Sequence, residues 1–139
     1  MSIRIFYDEI NFRLKGWRKT SKVLREIIAK ERRISGDISF IITSDVRLRE
    51  INIEFLEHDY YTDVITFNYN TDNVVNGEIY ISLERVEENA LNYNVSLDLE
   101  MLRILIHGVL HLVGYNDSNE EEKSEMRRME DFWIDYAKQ

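Results

Sequence analysis

The sequence predicts a mixed α+β fold in which a small sheet of about four strands is packed by helices. Strand-like segments are few and fall within the first 82 residues. Helical periodicity prevails after residue 82, and one of these helices is apolar on nearly every side, which is typical of a buried central helix. The chain has 139 residues and no repeat or flexible linker, so we expect one domain, residues 1–139.

Apolar spacing places each element in order, because strands repeat every two residues and helices every 3.6. The predicted strands are residues 2–7, 37–43, 63–69 and 77–82, the last two forming a hairpin around the polar turn NTDNVVN. The predicted helices are residues 17–30, 45–57, 83–93, 97–113 and 119–137. Their order predicts that the strands form a single layer on which the helices pack.

Helix ends and faces follow from residue type. Asp45 and Ser82 are predicted to cap the second and third helices, because their side chains accept backbone hydrogen bonds. Ser118 and Glu121 stand at capping-box spacing before the last helix. The inner face of that helix is predicted to consist of Met126, Met129, Trp133 and either Tyr136 or Ala137.

The composition restricts the chemistry that the chain can perform. There is no cysteine, so thiolate catalysis is excluded, and His, Asp and Glu remain as strong metal ligands. No apolar run is long enough to span a membrane. The N-terminal sequence MSIRIFYDEI lacks the layout of a signal peptide, so we expect a cytoplasmic protein.

Charge is unevenly distributed along the chain. The net charge is −8, but residues 1–33 carry ten Lys or Arg against four Asp or Glu. Four of these cations are expected on the side of helix 17–30 opposite its apolar face: Lys15, Arg18, Lys22 and Arg25. Such a basic face can bind a polyanion. Charge alone equally allows an ordinary solvated surface.

One narrow sector of the apolar helix 97–113 is polar. Glu100, Arg103, His107 and His111 fall within roughly 80° of one another at the helical period. An unpaired buried polar group destabilises the fold by about 1–3 kcal/mol, so we expect these four side chains to have binding partners. Arg103 is expected to pair with Glu100 at i,i+3 spacing. The two histidines, one turn apart, can direct imidazole nitrogens at one metal ion.

The residues after this helix extend the metal motif. Gly114 is expected to end the helix and turn the chain back, which lets the Asp117 carboxylate reach both imidazoles. The pattern H-x3-H-x2-G-x2-D shares its spacing with an extended zinc signature and predicts His107, His111 and Asp117 as ligands. Two core histidines, with Asp117 serving only the next helix dipole, are the alternative.

Four segments resemble the YbeY family of single-strand-specific metallo-endoribonucleases and rRNA maturation factors. "HGVLHLVGYND" (107–117) is similar to the family signature H-G-x-L-H-L-x-G-Y-D-H. "TDVITF" (62–67), "GEIYIS" (77–82) and "MRRME" (126–130) resemble T-D-V-L-S-F, G-D-I-x-I-S and M-x-x-x-E. The resemblance therefore spans about residues 50 to 130 in order.

The resemblance implies one zinc ion, a cytoplasmic location and action on the 3′ end of 16S rRNA, with a role in ribosome quality control. It also implies RNA, the small ribosomal subunit, ribosomal proteins and an assembly GTPase as partners. His107 and His111 match the first two family ligands, whereas Asp117 replaces the third histidine. Leu56 occupies the position where the family has an arginine. His58 follows two residues later and is predicted to lie at the surface. No catalytic side chain is therefore assigned.

The resulting hypothesis is hydrolysis of an RNA phosphodiester by a water molecule that the metal activates. The acidic ligand should favour harder ions slightly more than a third histidine would. A non-catalytic ribosome-assembly factor with a structural metal is one alternative. A zinc metalloprotease is the other, against which Gly108 counts because it occupies the position of the protease's catalytic glutamate.

Overall fold

A computed structural model describes residues 2–139 as one four-stranded sheet and five helices. The strands are β1 (Ile3–Tyr7), β2 (Ile34–Thr43), β3 (Val64–Asn68) and β4 (Val74–Ser82). The helices are α1 (Trp17–Lys30), α2 (Asp45–Leu56), α3 (Leu83–Tyr93), α4 (Leu97–Leu112) and α5 (Glu120–Ala137). The strand order is β1-β2-β4-β3, with β3 antiparallel to β4 and the other pairs parallel. The predicted fold class is confirmed.

Two strands begin three residues earlier than predicted. Ile34 pairs with Val74, so β2 and β4 are each three residues longer at the N-terminal end than predicted. The ladder is irregular between Ser35 and Ile38, where the Asn76 side chain accepts a hydrogen bond from Asp37 N at 2.8 Å. Because polar residues occupy this irregularity, apolar alternation does not predict the first part of β2. The predicted hairpin is present, with a shorter turn.

Four of the five helices begin at the predicted residue, but two caps differ. Ser82 caps α3, as predicted, and its Oγ accepts from Arg85 N. Ser44, not Asp45, caps α2; Asp45 lies in the first turn and forms an ion pair with Arg85 at 3.0 Å. Asn119 caps α5 by accepting from Glu122 N at 2.8 Å, so the predicted Ser118–Glu121 capping box is wrong by one residue.

The main core lies between one face of the sheet and helices α1, α4 and α5. It contains Ile79 and Ile81 of β4 with Met101 and Leu105 of α4, all fully buried. On α5, Met126 and Trp133 are buried and Ala137 packs on this core, whereas Tyr136 is 41% exposed. The predicted central helix and the inner face of α5 are therefore confirmed, with Ala137 as the fourth inner residue.

Helix α2 packs on the opposite face of the sheet. Leu48 and Ile51 form a second cluster with Ile65 of β3, flanked by Phe67 and Tyr80. Alternate β3 residues, Val64, Thr66 and Asn68, therefore face the side of α4. Strand β3 is the edge of the sheet beside α4, and this places its polar side chains next to the two histidines. Within residues 2–139, no helix combines the length and apolarity needed to cross a membrane.

Gly77→Ala should destabilise the fold by about 1–3 kcal/mol, as overpacking does. A Cβ at Gly77 would lie 2.8 Å from the Phe67 carbonyl oxygen and 2.9 Å from Leu112 Cδ2. Because the nearest atom belongs to the backbone of β3, a side-chain rotation cannot relieve the contact. Urea denaturation measures the effect, with Leu91→Ala as the control, because Leu91 is 83% exposed and should change stability by about 0.5 kcal/mol at most. Equal stabilities of the two variants would contradict this packing.

Candidate metal centre

Helix α4 carries His107 and His111 to the edge of the sheet. Ser96 caps the helix by accepting a hydrogen bond from Leu99 N at 3.1 Å. Most of the helix is buried, but the two imidazoles are partly exposed, and their ring centroids lie 4.5 Å apart. The predicted polar stripe therefore opens to solvent at its C-terminal end, where a ligand can reach both rings.

The chain reverses after α4 because Gly114 adopts a left-handed conformation, with φ 112°. Its N–H donates to the carbonyl of His111 at 3.1 Å, and Tyr115 N donates to Leu110 O at 3.0 Å. This pair of bonds is the Schellman arrangement that satisfies the last carbonyls of a helix. The turn returns Asp117 toward the histidines, as the position of Gly114 predicts.

Asp117 completes a group of three possible ligands. Its Oδ2 lies 3.5 Å from His107 Nε2 and 3.3 Å from His111 Nε2. One donor atom from each residue lies within 4.8 Å of the other two, and the three residues are partly buried. The structure therefore brings the three predicted residues together in a group that could hold a metal ion.

The other nitrogen of each imidazole is bound by the protein. His107 Nδ1 donates to Glu130 Oε2 at 2.6 Å, and His111 Nδ1 donates to the carbonyl of Tyr115 at 3.0 Å. Each acceptor requires a proton on Nδ1, so the lone pair of the neutral imidazole is on Nε2, the atom on the side of Asp117. Ligating histidines are held in this way in metal sites, because the second bond fixes tautomer and ring orientation.

Glu130 is the residue of this site that received no role from the sequence. It is buried in α5, and its Oε1 accepts from Arg103 at 2.9 Å. Arg103 also donates to Asp131 at 2.8 Å, so the predicted Arg103–Glu100 pair is wrong. Both carboxylates that bind Arg103 belong to α5, so the spacing of residues within α4 could not predict them. The "MRRME" resemblance, which ends at Glu130, was the available signal.

His107 and Glu100 share a small pocket of about 170 Å³ on the α5 side of α4. The pKa values of both side chains are raised, but for different reasons. Burial lowers the pKa of His107, but the hydrogen bond to Glu130 and the charges of Glu130 and Asp117 outweigh it, so the pKa is raised. Burial raises the pKa of Glu100, and the nearby Arg103 only partly opposes this. Protons should therefore compete with a metal for His107, since a ligating imidazole must be neutral.

The three candidate ligands open into a cleft of about 550 Å³. Its opposite wall is the edge strand β3 and the residues before it: Thr62, Asp63, Val64, Thr66 and Asn68. This volume lies in the usual range of ligand pockets, about 300–1,000 Å³. The "TDVITF" segment therefore forms one wall of the site, a placement that required knowledge of the sheet order.

The end of α2 and the first part of the loop after it, residues 56–61, do not line this cleft. Leu56 is 38% exposed at the end of α2. His58 is exposed, as predicted, and stacks on Tyr60 with ring centroids 5.2 Å apart. Neither residue lines the cleft, so His58 does not occupy the place of an arginine beside the candidate ligands.

Fold and site together define a class of protein: a small α+β domain with a His-His-Asp group able to hold a metal ion in an open cleft. The family model described as Endoribonuclease YbeY matches residues 5–138. The chain therefore belongs to the YbeY family, as its motifs indicate.

Proteins of several organisms are similar to nearly the whole chain. Endoribonuclease YbeY of Christiangramia forsetii is 44% identical over 126 residues, which cover 91% of this chain and 88% of that protein. The protein of the same name from Amoebophilus asiaticus is 40% identical over 134 residues, covering 96% and 91%. A solution structure of a Thermotoga maritima protein has a TM-score of 0.67 at 32% identity, covering 98% of this chain and 89% of the other. The two named relatives thus match most of the chain in sequence, and the solved structure matches it in fold.

Proposed function

We propose that the chain is a metal-dependent endoribonuclease that cuts single-stranded RNA in the maturation of the 3′ end of 16S rRNA and in ribosome quality control. The observation that carries this proposal is the convergence of two imidazoles and one carboxylate in an open cleft. Relatives that match most of the chain are named endoribonucleases. In this proposal, residues 1–139 act as one functional domain.

We infer that His107, His111 and Asp117 hold one divalent ion, with zinc as the first candidate. Ligand atoms about 2.0–2.1 Å from a tetrahedral zinc ion stand about 3.4 Å apart. The two Nε2–Oδ2 separations, 3.5 and 3.3 Å, fit this spacing. Two imidazoles suit zinc, while the carboxylate also accepts harder ions such as Mn²⁺.

A divalent ion in this position would lower the pKa of water and polarise a phosphoryl oxygen. The residues of the chain supply orientation: Glu130 and the Tyr115 carbonyl fix the two imidazoles. Thr62, Thr66 and Asn68 line the facing wall, and their hydroxyl and amide groups can donate hydrogen bonds to phosphate oxygens. The cleft therefore offers donors on the side opposite the candidate ligands.

The geometry favours catalysis over the two alternatives. A structural zinc site has four protein ligands, whereas catalytic sites keep an open position, and the group found within residues 2–139 has three members. For peptide hydrolysis, a base would be needed after His107. A Cβ at Gly108 would lie 2.9 Å from Ile79 Cδ1, so this position of α4 faces the sheet and not the cleft.

Partners follow from the same proposal. The proposed substrate is RNA, and we propose that the enzyme acts on the small ribosomal subunit in the cytoplasm. Ribosomal proteins or an assembly GTPase would present the substrate. The acidic remainder of the chain, from residue 34 onward, carries 22 Asp or Glu against eight Lys or Arg and should repel RNA that is not presented.

The basic face of α1 is proposed to hold the RNA backbone. Lys15, Arg18, Lys22 and Arg25 are all exposed. Reversing Lys22 and Arg25 to Glu should flatten the dependence of log affinity on log salt by roughly one to two units, since each contact on a single strand contributes about −0.7. Fluorescence anisotropy with labelled single-stranded RNA measures this slope.

The matched control reverses Arg4 and Lys138, two exposed cations outside this face, and should leave the slope nearly unchanged. Zinc content should be unaffected in both double variants, because neither pair contacts the candidate ligands. An unchanged slope for the Lys22 and Arg25 variant, with its metal content intact, would show that the basic face is solvated surface only.

The activity itself is tested with purified protein and two substrates. With zinc or manganese, the protein should cut single-stranded RNA and leave casein intact. A chelator should stop cleavage, and added metal should restore it. Proteolysis without RNA cleavage would refute the proposed function even though the family and fold stand.

A further inference from the structure

We infer that Asp63 is the general base that takes the proton of the attacking water in phosphodiester hydrolysis. The inference rests on the proposed function and adds a catalytic side chain to it. The position that carries the general base in H-E-x-x-H enzymes is occupied here by Gly108, which has no side chain to accept a proton. That position faces Ile79, so a base must come from another wall of the cleft.

Asp63 lies on the wall opposite the histidines. It lines the 550 Å³ cleft together with His107, His111 and Asp117. It also lines the adjoining 170 Å³ pocket, which it shares with His107. Asp63 therefore lines both of the spaces that His107 lines, beside the candidate metal centre.

Three of the other carboxylates around His107 are already engaged, and the fourth, Glu100, lines the 170 Å³ pocket but not the cleft of the candidate ligands. Glu130 binds His107 and Arg103, Asp131 binds Arg103, and Asp117 faces both Nε2 atoms. Within residues 2–139, the Asp63 side chain forms no hydrogen bond or ion pair. Asp63 is also outside the group whose donor atoms lie within 4.8 Å of one another. A carboxylate near the ligands, but not among them, is suited to bind a proton and not the metal.

The backbone fixes this position. Asp63 immediately precedes β3, and its carbonyl accepts a hydrogen bond from Ser82 N at 2.9 Å, at the end of β4. Groups held on strand ends are positioned more rigidly than groups on free loops. Catalysis by a positioned base requires such a fixed distance to the reacting water.

The step balances as a hydrolysis. The water oxygen forms a new bond to phosphorus while one of its protons moves to a carboxylate oxygen of Asp63. The bond between phosphorus and the leaving ribose oxygen breaks. The proton held by Asp63 then passes to that oxygen, which restores the carboxylate. No oxidant or further reactant is needed.

The test compares Asp63→Asn and Asp63→Ala with the metal-loaded wild type on single-stranded RNA. Loss of a general base should lower kcat about 10²–10⁴-fold, with KM little changed. Added formate should restore part of the kcat of Asp63→Ala in proportion to its concentration, which a purely structural defect would not allow. Asp135→Asn is the control, because Asp135 is exposed on α5 and far in sequence from the cleft residues.

Two readouts do not depend on activity. Metal content should stay at one ion per chain in both Asp63 variants. Affinity for RNA, measured by anisotropy without metal, should be equal to or above that of the wild type, since one negative charge is removed from the cleft. Loss of the metal, or kcat within threefold of the wild type, would overturn the assignment of Asp63. An inactive, fully metal-loaded wild type would instead refute the proposed function.

Discussion

His107→Ala or His111→Ala should abolish tight binding of one zinc ion per chain and reduce RNA cleavage to background. Each variant leaves one imidazole and Asp117, and two ligands do not hold the ion. The loss of activity should exceed the 10–100-fold typical of residues that only orient a ligand. Elemental analysis after exhaustive dialysis measures the metal, and RNA cleavage is assayed on the same samples.

Two further variants make this result specific. Asp117→His restores the third histidine of the family signature and should retain the metal. His58→Ala removes the chain's third histidine, which is exposed outside the cleft, and should leave both metal and activity unchanged. Full zinc occupancy in both alanine variants of the helical pair would show that the ligands have been assigned to the wrong residues.

Glu130→Gln should weaken zinc binding or RNA cleavage by about 10–100-fold. The substitution keeps the shape of the side chain but removes the charge that accepts the hydrogen bond from His107 Nδ1 at 2.6 Å. The imidazole then loses the partner that holds its tautomer and raises its basicity. Competition with a zinc-binding dye measures the dissociation constant.

Asp131→Asn is the matched control for Glu130. Asp131 is the next residue of α5 and also binds Arg103, at 2.8 Å, but it has no contact with His107. Its substitution should leave zinc affinity within a few-fold of the wild type. Equal effects of the two substitutions would mean that Glu130 acts through Arg103 and the packing of α5, and not through the imidazole.

The sequence was sufficient for features that depend on local periodicity. The spacing of His107 and His111, the turn at Gly114 and the return of Asp117 all involve residues within about three helical turns of one another. Backbone geometry alone brings them together. The apolar pattern likewise defined all five helices and four strands. Several of the predicted ends differ by one residue, and the larger errors of three residues fall where polar residues continue a strand, as at Ser35.

Contacts between distant segments could not be predicted in the same way. Arg103 meets Glu130 and not Glu100 because α5 packs against α4, and nothing in the spacing of either helix fixes that packing. Asp63 reaches the cleft because β3 pairs on the outer side of β4. Sheet order is a tertiary choice, so the "TDVITF" segment could be quoted as a motif but not placed beside the histidines.

A zinc titration of the metal-free protein tests the central claim most directly. Zinc is added in steps to a known concentration of protein, and the rate of single-stranded RNA cleavage is recorded at each step. If His107, His111 and Asp117 hold one ion that supports hydrolysis, the rate rises linearly and stops rising at one equivalent per chain. Full cleavage by the metal-free protein, or no cleavage at one equivalent of bound zinc, would contradict the account.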